Sequence, residues 1–272
     1  MKFETIKIFI KERIGYLTLN RPKVLNAINE KMIDEINFAM KEFNSNDKIA
    51  CIVIKGEGRC FSAGFDMKES GQRSIKGKEQ WQKVLKKDFD FIIQFWNNPK
   101  PTIAEVHGFC LAGAFELMLA CDIALVEKAT FLGQPEVRFG SGIVAMLAPW
   151  ITTPKYAKEI LLTGNDRFTA KECKEMGIVN YVLSSKLLSK KVDQICKQIS
   201  NASDKSVKLT KKAINLSYEN ANIVKSLDSA LEIETEIESD ESPERIEFNR
   251  IRKEKGLKEA IEWRDKRFEN KN

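Results

Sequence analysis

Carboxylates are the side chains of this chain best placed to do chemistry. Glu116 lies inside AGAFELMLAC, and its helical neighbours at i−4, i−3, i+3 and i+4 are Ala112, Gly113, Leu119 and Ala120. That face is wholly apolar, so the carboxylate points to the core or into a cleft. A buried, unpaired carboxylate costs several kcal/mol or takes up a proton, and a chain seldom keeps one without a use. Glu136 follows twenty positions later, directly after Pro135, which stiffens its turn. Two carboxylates brought together by a strand reversal are the raw material for paired acid–base chemistry. Gly113 opens the helix that carries Glu116, so its N–H is an unsatisfied donor backed by the helix dipole. Gly64-Phe65, in a loop after a buried strand, could present a second amide, and two such donors would make an oxyanion hole. Taken singly, each of these residues also has a plain structural reading: a tight turn, a close helix–strand contact, a core carboxylate satisfied by backbone.

The elements that must position these groups follow from periodicity. Residues 5–10 and 14–19 alternate as a β-hairpin around Lys11-Glu12-Arg13. Asn29 caps a helix reaching Phe43, with Met32, Ile36, Met40 and Phe43 on one face. IACIVI (49–54) reads as a strand covered on both faces, and the glycine-rich loop 56–70 leaves its carboxyl end, where α/β sheets bind ligands. Its G-x-G lacks the third glycine of a dinucleotide fingerprint. A helix over 78–96 leads into the stretch from Pro101 to Gly142, which reads as strand (Thr102–Val106), turn, apolar helix, strand (Asp122–Val126) and turn. Thr153-Pro154 and Thr169 start further helices, ending at Gly164 and Gly177, and 178–183 is a short strand. From Leu187 the chain is helical. We place a boundary near residue 200: an α/β core over 1–200, then a helical region over 201–272. The acidic run from Glu232 to Glu241 reads as a solvated helix face.

Composition narrows the function. In 272 residues, 43% hydrophobic and 31% charged, there is no run of membrane-spanning length and no low-complexity segment. The formal charge of +6 is spread along the chain without a basic block interleaved with aromatics, which argues against nucleic acid but suits a polyanionic small molecule. Six cysteines without a C-x-x-C pair fit reduced core residues of a cytoplasmic protein. His107 is the one histidine; beside Gly108 it reads as a turn residue, and multi-His zinc sites are excluded. Neither a G-x-S-x-G elbow nor a P-loop is present.

LNRPKVLNA (19–27), FSAGFDMKE (61–69), HGFCLAGAFELMLACD (107–122), FLGQPEVRFG (131–140) and the later LLTG and MGIVN (161–180) together resemble the enoyl-CoA hydratase/isomerase, or crotonase, superfamily. The resemblance covers the core in family order and spacing. It implies a crotonase-like α/β spiral of ββα units with a C-terminal helical region, assembled as a homotrimer or a hexamer of two trimers. It implies an acyl-CoA substrate, with coenzyme A part of that substrate, no separate cofactor and no metal. By position, the amides of Phe65 and Gly113 match the family's oxyanion hole. Lys23, Leu25, Ala63, Asp66, Met67 and Lys68 fall where the family cradles CoA. Glu116 and Glu136 match the hydratase branch's catalytic glutamates, as base and acid in adding water across a 2-enoyl double bond.

The chain departs from the family's pattern in three places. Gly140-Ser141-Gly142-Ile143-Val144 stands where many hydratases carry a Pro-Gly-rich segment, at the acyl end of the site. Ala112 and Ala114 replace glycines often seen beside Gly113, and Trp263 stands roughly at a family lysine. Isomerisation or another acyl-CoA reaction of the superfamily therefore stays open as the alternative, with a non-catalytic CoA binder as a further one.

Overall fold

The computed structural model describes residues 3–71 and 75–269. Its first elements are the hairpin β1 (Ile6–Lys11) and β2 (Ile14–Leu19), joined across Glu12 in a left-handed conformation. Helix α1 (Glu30–Ser45) follows, and the Asn29 side chain accepts from the Met32 amide as its N-cap. Then come β3 (Cys51–Gly56), a single-turn helix α2 (Met67–Ser70) and α3 (Gly77–Trp96). The central stretch contains β4 (Thr102–Val106), β5 (Phe109–Leu111), α4 (Gly113–Ala120), β6 (Ile123–Glu127) and β7 (Phe131–Gly133). A 3₁₀ turn over Glu136–Phe139 leads to α5 (Ala148–Ile151), α6 (Pro154–Thr163), β8 (Phe168–Thr169), α7 (Ala170–Glu175) and β9 (Tyr181–Leu183). Helices α8 (Ser185–Ser200), α9 (Asp204–Asn220), α10 (Ile223–Ser239), α11 (Pro243–Lys255) and α12 (Leu257–Lys266) complete the chain.

Two sheets result. The larger has the order β1-β2-β3-β4-β6-β9, antiparallel only at the β1–β2 hairpin and parallel elsewhere. The smaller, β5-β7-β8, pairs β5 with β7 in parallel and β7 with β8 antiparallel. β4 and β6 lie in the large sheet and each is followed by a three-residue strand of the small one. The chain thus leaves one sheet, crosses to the other, and only then turns into α4 or the Glu136 turn. These short strands are what bring Gly113 and Glu136 to a common place.

The central strands carry Leu17, Leu19, Ile52, Ile54, Ala104 and Val106 into one core with α1, α3 and α4. Full burial of each large aliphatic or aromatic side chain contributes about 1.5–3 kcal/mol. Every residue of α4 is buried, as expected of a helix that is hydrophobic all round. The six cysteines are all free and buried. Among the described residues, no helix is long and apolar enough to cross a membrane.

Candidate active site

Asn26 organises the first wall. The backbone there is left-handed at Leu25 (φ 56°) and Asn26 (φ 52°), and the fully buried Asn26 amide donates to the carbonyls of Glu57, Cys60 and Phe61. Ser62 Oγ donates to the Asn26 carbonyl, and the Ile28 amide donates to the Gly64 carbonyl at 2.8 Å. The loop after β3 is thereby stitched both to residues 25–28 and, through Ser62, to β5. Asn26 sits in the LNRPKVLNA segment, where nothing reactive in its side chain marks it as a site residue.

This stitching presses Gly64 against the start of α4. A β-carbon on Gly64 would lie 2.7 Å from Ala112 Cβ and 3.2 Å from the Gly113 nitrogen, and Gly64 has φ +93°. Glycine is required there for both reasons. Gly64's own amide is spent on Ser62 Oγ at 3.1 Å. Gly64 and the Phe65 ring thus pack against Gly113, and among the described residues neither the Phe65 nor the Gly113 amide donates to another backbone carbonyl outside a helix or strand. Gly113 is the first residue of the eight-residue α4, so the dipole's positive end adds to its donor. Preceding it, Ala112 holds φ 56°, ψ −136°, a region that only glycine enters without strain.

One turn into α4, Glu116 is 1% exposed. Its Oε1 accepts from Gln134 Nε2 at 3.1 Å and its Oε2 from the Ala145 amide at 2.7 Å. Gln134 stands between β7 and the Glu136 turn, so the small sheet sets both glutamates. Glu136 is 7% exposed, and its Oε2 has no hydrogen-bond partner among the described residues. Burial pushes the Glu116 carboxyl well above the usual range, Glu136 repels its charge further, and the amides of Ala145 and Val144 oppose the rise. Glu136 is pushed up to about 8, chiefly by burial; its own amide and Arg264 oppose the shift, while Glu234 and Glu238 add to it.

Those last two residues correct the reading of the acidic run. Glu234 and Glu238, one turn apart on α10, are 2% and 3% exposed rather than solvated. Glu238 is gripped by Arg245 through both terminal nitrogens, and Ser141 donates to it. Burial, then the charges of Glu238 and Glu116, push Glu234 up to about 9, and its Oε2 also lacks a partner among the described residues. The pattern Leu227, Leu231, Glu234, Thr235, Glu238 is one continuous buried stripe, a signal that the charge run hid.

Of the six residues expected around CoA, Lys23, Leu25, Ala63 and Asp66 fall in the two stitched segments and Met67 and Lys68 in α2. Ala63's amide donates to the Leu25 carbonyl at 3.0 Å, and Met67 packs against α11 and α12, its carbonyl accepting from Arg252. Lys23 and Lys68 are exposed. Asp66 pairs with Arg21 at 2.8 Å and caps α2. Burial opposes the ionised form of Asp66, but Arg21 and the amides of Glu69 and Lys68 outweigh it and hold the carboxyl below its ordinary value. His107 lies 2.9 Å from the Gly58 carbonyl, in a turn away from both glutamates' partners. Near Trp263, Arg264 is buried and paired with Asp166 at 2.9 Å and with Asp265, so it is not a free cation.

The enoyl-CoA hydratase/isomerase family model matches residues 10–271. The chain belongs to that family. A probable mitochondrial enoyl-CoA hydratase of Dictyostelium discoideum is 34% identical over 77% of this chain and 74% of its own length. A probable enoyl-CoA hydratase of Mycobacterium leprae is 32% identical over 80% of this chain and 84% of its own. The crystal structure of an enoyl-CoA hydratase/isomerase from Xanthobacter autotrophicus Py2 superposes with a TM-score of 0.96 at 41% identity, covering 98% of this chain and all of that one. The two sheets, with α4 and the Glu136 turn between them, are accordingly the crotonase fold.

Proposed function

We propose that the protein is an enoyl-CoA hydratase, adding water across the 2,3 double bond of a 2-enoyl-CoA to give a 3-hydroxyacyl-CoA. The observation that carries this reading is the pair of buried glutamates, Glu116 one turn into the helix that Gly113 opens and Glu136 in the turn after β7, beside the unspent amides of Phe65 and Gly113. The amides of Phe65 and Gly113 hold the thioester oxygen and stabilise the charge that develops on it, each donor being worth about 10²–10³ in rate. C3 then accepts a water held between the carboxylates.

Roles follow from the partners. Glu116 receives two fixed donors, which favour its anion even in a buried site, so it orients and deprotonates the water. Glu136, with an unpartnered oxygen, holds the pair's proton and delivers it to C2. Leu25, Ala63, Asp66 and Met67 shape the CoA cradle, and Lys23 and Lys68 stand at its rim for the phosphates. Asp66 acts there by fixing Arg21 and α2.

Exposed apolar side chains on the C-terminal helices, among them Leu209, Ile214, Val224 and Ile233, support assembly as a trimer or two trimers. An open groove of about 550 Å³ on the outer face of α10, lined by Met146, Ala230 and Ile233, belongs to the same surface. Six buried free thiols support a cytoplasmic setting.

Incubation with crotonyl-CoA and mass analysis of the product tests the reaction. Gain of one water supports hydration; a product of unchanged mass with the double bond moved replaces it with isomerisation.

A further inference from the structure

Hydration requires two carboxyl groups, and this site holds a third. Glu234 on α10 abuts Gly142, in the segment whose Ala145 amide holds Glu116, and its charge bears on both Glu116 and Glu136. Its placement is built. A β-carbon on Gly142 would lie 1.6 Å from Glu234 Oε2, so the carboxyl occupies the space that a side chain at 142 would fill. One helical turn on, Glu238 is locked by Arg245 and Ser141, which fixes the rotation of α10 and hence the aim of Glu234. Neither Glu234 Oε2 nor Glu136 Oε2 has a hydrogen-bond partner among the described residues, and both are more than nine-tenths buried. No three of these carboxylates are arranged to hold a metal ion.

The direction of the acyl chain follows from the order of the parts. The free amides stand at the N-terminus of α4, and Glu116 is one turn deeper. Beyond it comes the 141–145 segment, whose Ala145 amide holds Glu116 and whose Gly142 abuts Glu234. A chain that starts at the amides and passes between the glutamates meets Glu234 next. An alkyl tail there would leave Glu234 Oε2 unpaired in a buried setting, which is costly. A carboxylate there would face Glu116, Glu136 and Glu234, with both terminal nitrogens of Arg245 already committed to Glu238. A neutral group that accepts a hydrogen bond, as a carbonyl does, or both accepts and donates, as a hydroxyl does, suits a carboxyl carrying its proton.

We propose that Glu234 is a specificity-determining residue, and that the site takes 2-enoyl-CoA thioesters whose acyl chain bears a neutral hydroxyl or carbonyl group beyond the double bond. The proposal rests on the acyl-CoA hydration reading above and names its substrate class.

The test compares 5-hydroxy-2-pentenoyl-CoA with 2-hexenoyl-CoA, in which a methyl replaces the hydroxyl, and with 4-carboxy-2-butenoyl-CoA. Wild type, Glu234→Gln and Glu234→Leu are assayed at pH 7 for kcat/KM. Calorimetric binding of 5-hydroxypentanoyl-CoA and hexanoyl-CoA is measured in parallel. Wild type should favour the hydroxyl over the methyl substrate tenfold or more and disfavour the carboxylate most. Glu234→Gln, which keeps hydrogen-bonding capacity, should retain the preference, and Glu234→Leu should abolish or reverse it. Should the leucine variant fail to fold, the wild-type ratios and their persistence in the glutamine variant decide. A wild-type ratio at or below one, in turnover and in binding, overturns the proposal while leaving hydration intact. An unchanged ratio in Glu234→Leu overturns it equally. If no thioester is hydrated but the tenfold binding preference holds and is lost in Glu234→Leu, the hydration reading fails and the acyl recognition stands.

Discussion

Gly113→Ala is the substitution that most sharply separates a catalytic backbone from an ordinary helix. On propensity alone, glycine to alanine in a helix is favourable by about 0.8–1 kcal/mol. Here the added methyl would lie 2.4 and 2.5 Å from two carbons of the Phe65 ring, whereas carbon atoms pack at about 3.5–4 Å. The ring must retreat by roughly 1 Å. Phe91 stands edge-on to it with ring centroids 6.3 Å apart, which resists the movement. Overpacking of this kind costs about 1–3 kcal/mol, so the propensity gain is cancelled or exceeded. On the proposed reading the larger effect is on rate, because Phe65 would supply one of the two oxyanion-hole amides and Gly113 the other. A misplacement of about 1 Å costs on the order of 10²-fold, and outright loss of one donor about 10²–10³. Steady-state hydration of crotonyl-CoA should show kcat lowered at least about 10²-fold with KM changed far less, since the donors act on charge that develops in the transition state. Thermal melting alongside should show Tm within a few degrees of wild type. A Gly113→Ala enzyme with kcat within about fivefold of wild type would refute the assignment of these amides.

Other outcomes follow from the same geometry. Ala112→Gly relieves a conformation costing about 1–3 kcal/mol against about 0.5–1 kcal/mol of added chain entropy, so urea unfolding should show unchanged or up to about 2 kcal/mol higher stability. Asn26→Ala removes two N–H donors, shared among the Glu57, Cys60 and Phe61 carbonyls, and the oxygen that accepts from the Arg21 amide; at about 1 kcal/mol for each of these three groups, the urea midpoint should fall by the equivalent of about 3 kcal/mol. Glu136 and Glu234 bind protons more tightly in the folded chain, at about 8 and 9, than their ordinary 4.5. Their contribution to stability is therefore full below about pH 4.5 and is lost as pH rises through about 8 to 9. The groups facing them are Glu116 on α4, Glu238 on α10, Arg245 on α11 and Arg264 on α12, and Asp88 on α3 bears on Glu116. Tm should decline between pH 5 and 9, and Glu234→Gln should flatten that slope.

Where local chemistry decides structure, the sequence is a good guide. Alternation in 5–19, the Asn29 cap, the Thr153-Pro154 start and the glycines after α6 and α7 each state their element through one strong local rule, and the structure follows them. Glu116 could be read because an all-apolar helix leaves its carboxylate only the interior. The small sheet could not be read. β5, β7 and β8 are two or three residues long, too short for any periodicity, and they exist only through pairing across 20 or more positions. Asn26 leaves no signal of chemistry in the sequence because its work is backbone satisfaction, fixed by carbonyls more than thirty positions away. Glu234 and Glu238 depart from the expected solvated face, although alternating glutamates normally face water. Burying them depends on Arg245, which lies on the next helix, and on Ser141 and the missing side chain of Gly142, both about ninety or more positions away.

The central claim is that Glu116 and Glu136 work as base and acid beneath the two amides. Loss of enoyl-thioester absorbance from crotonyl-CoA, followed with wild type, Glu116→Gln and Glu136→Gln, tests it most directly. Rapid loss with wild type and a fall of about 10²–10⁴-fold in each variant, with CoA-thioester binding retained, is the predicted result. Wild-type rates in either glutamine variant would contradict it.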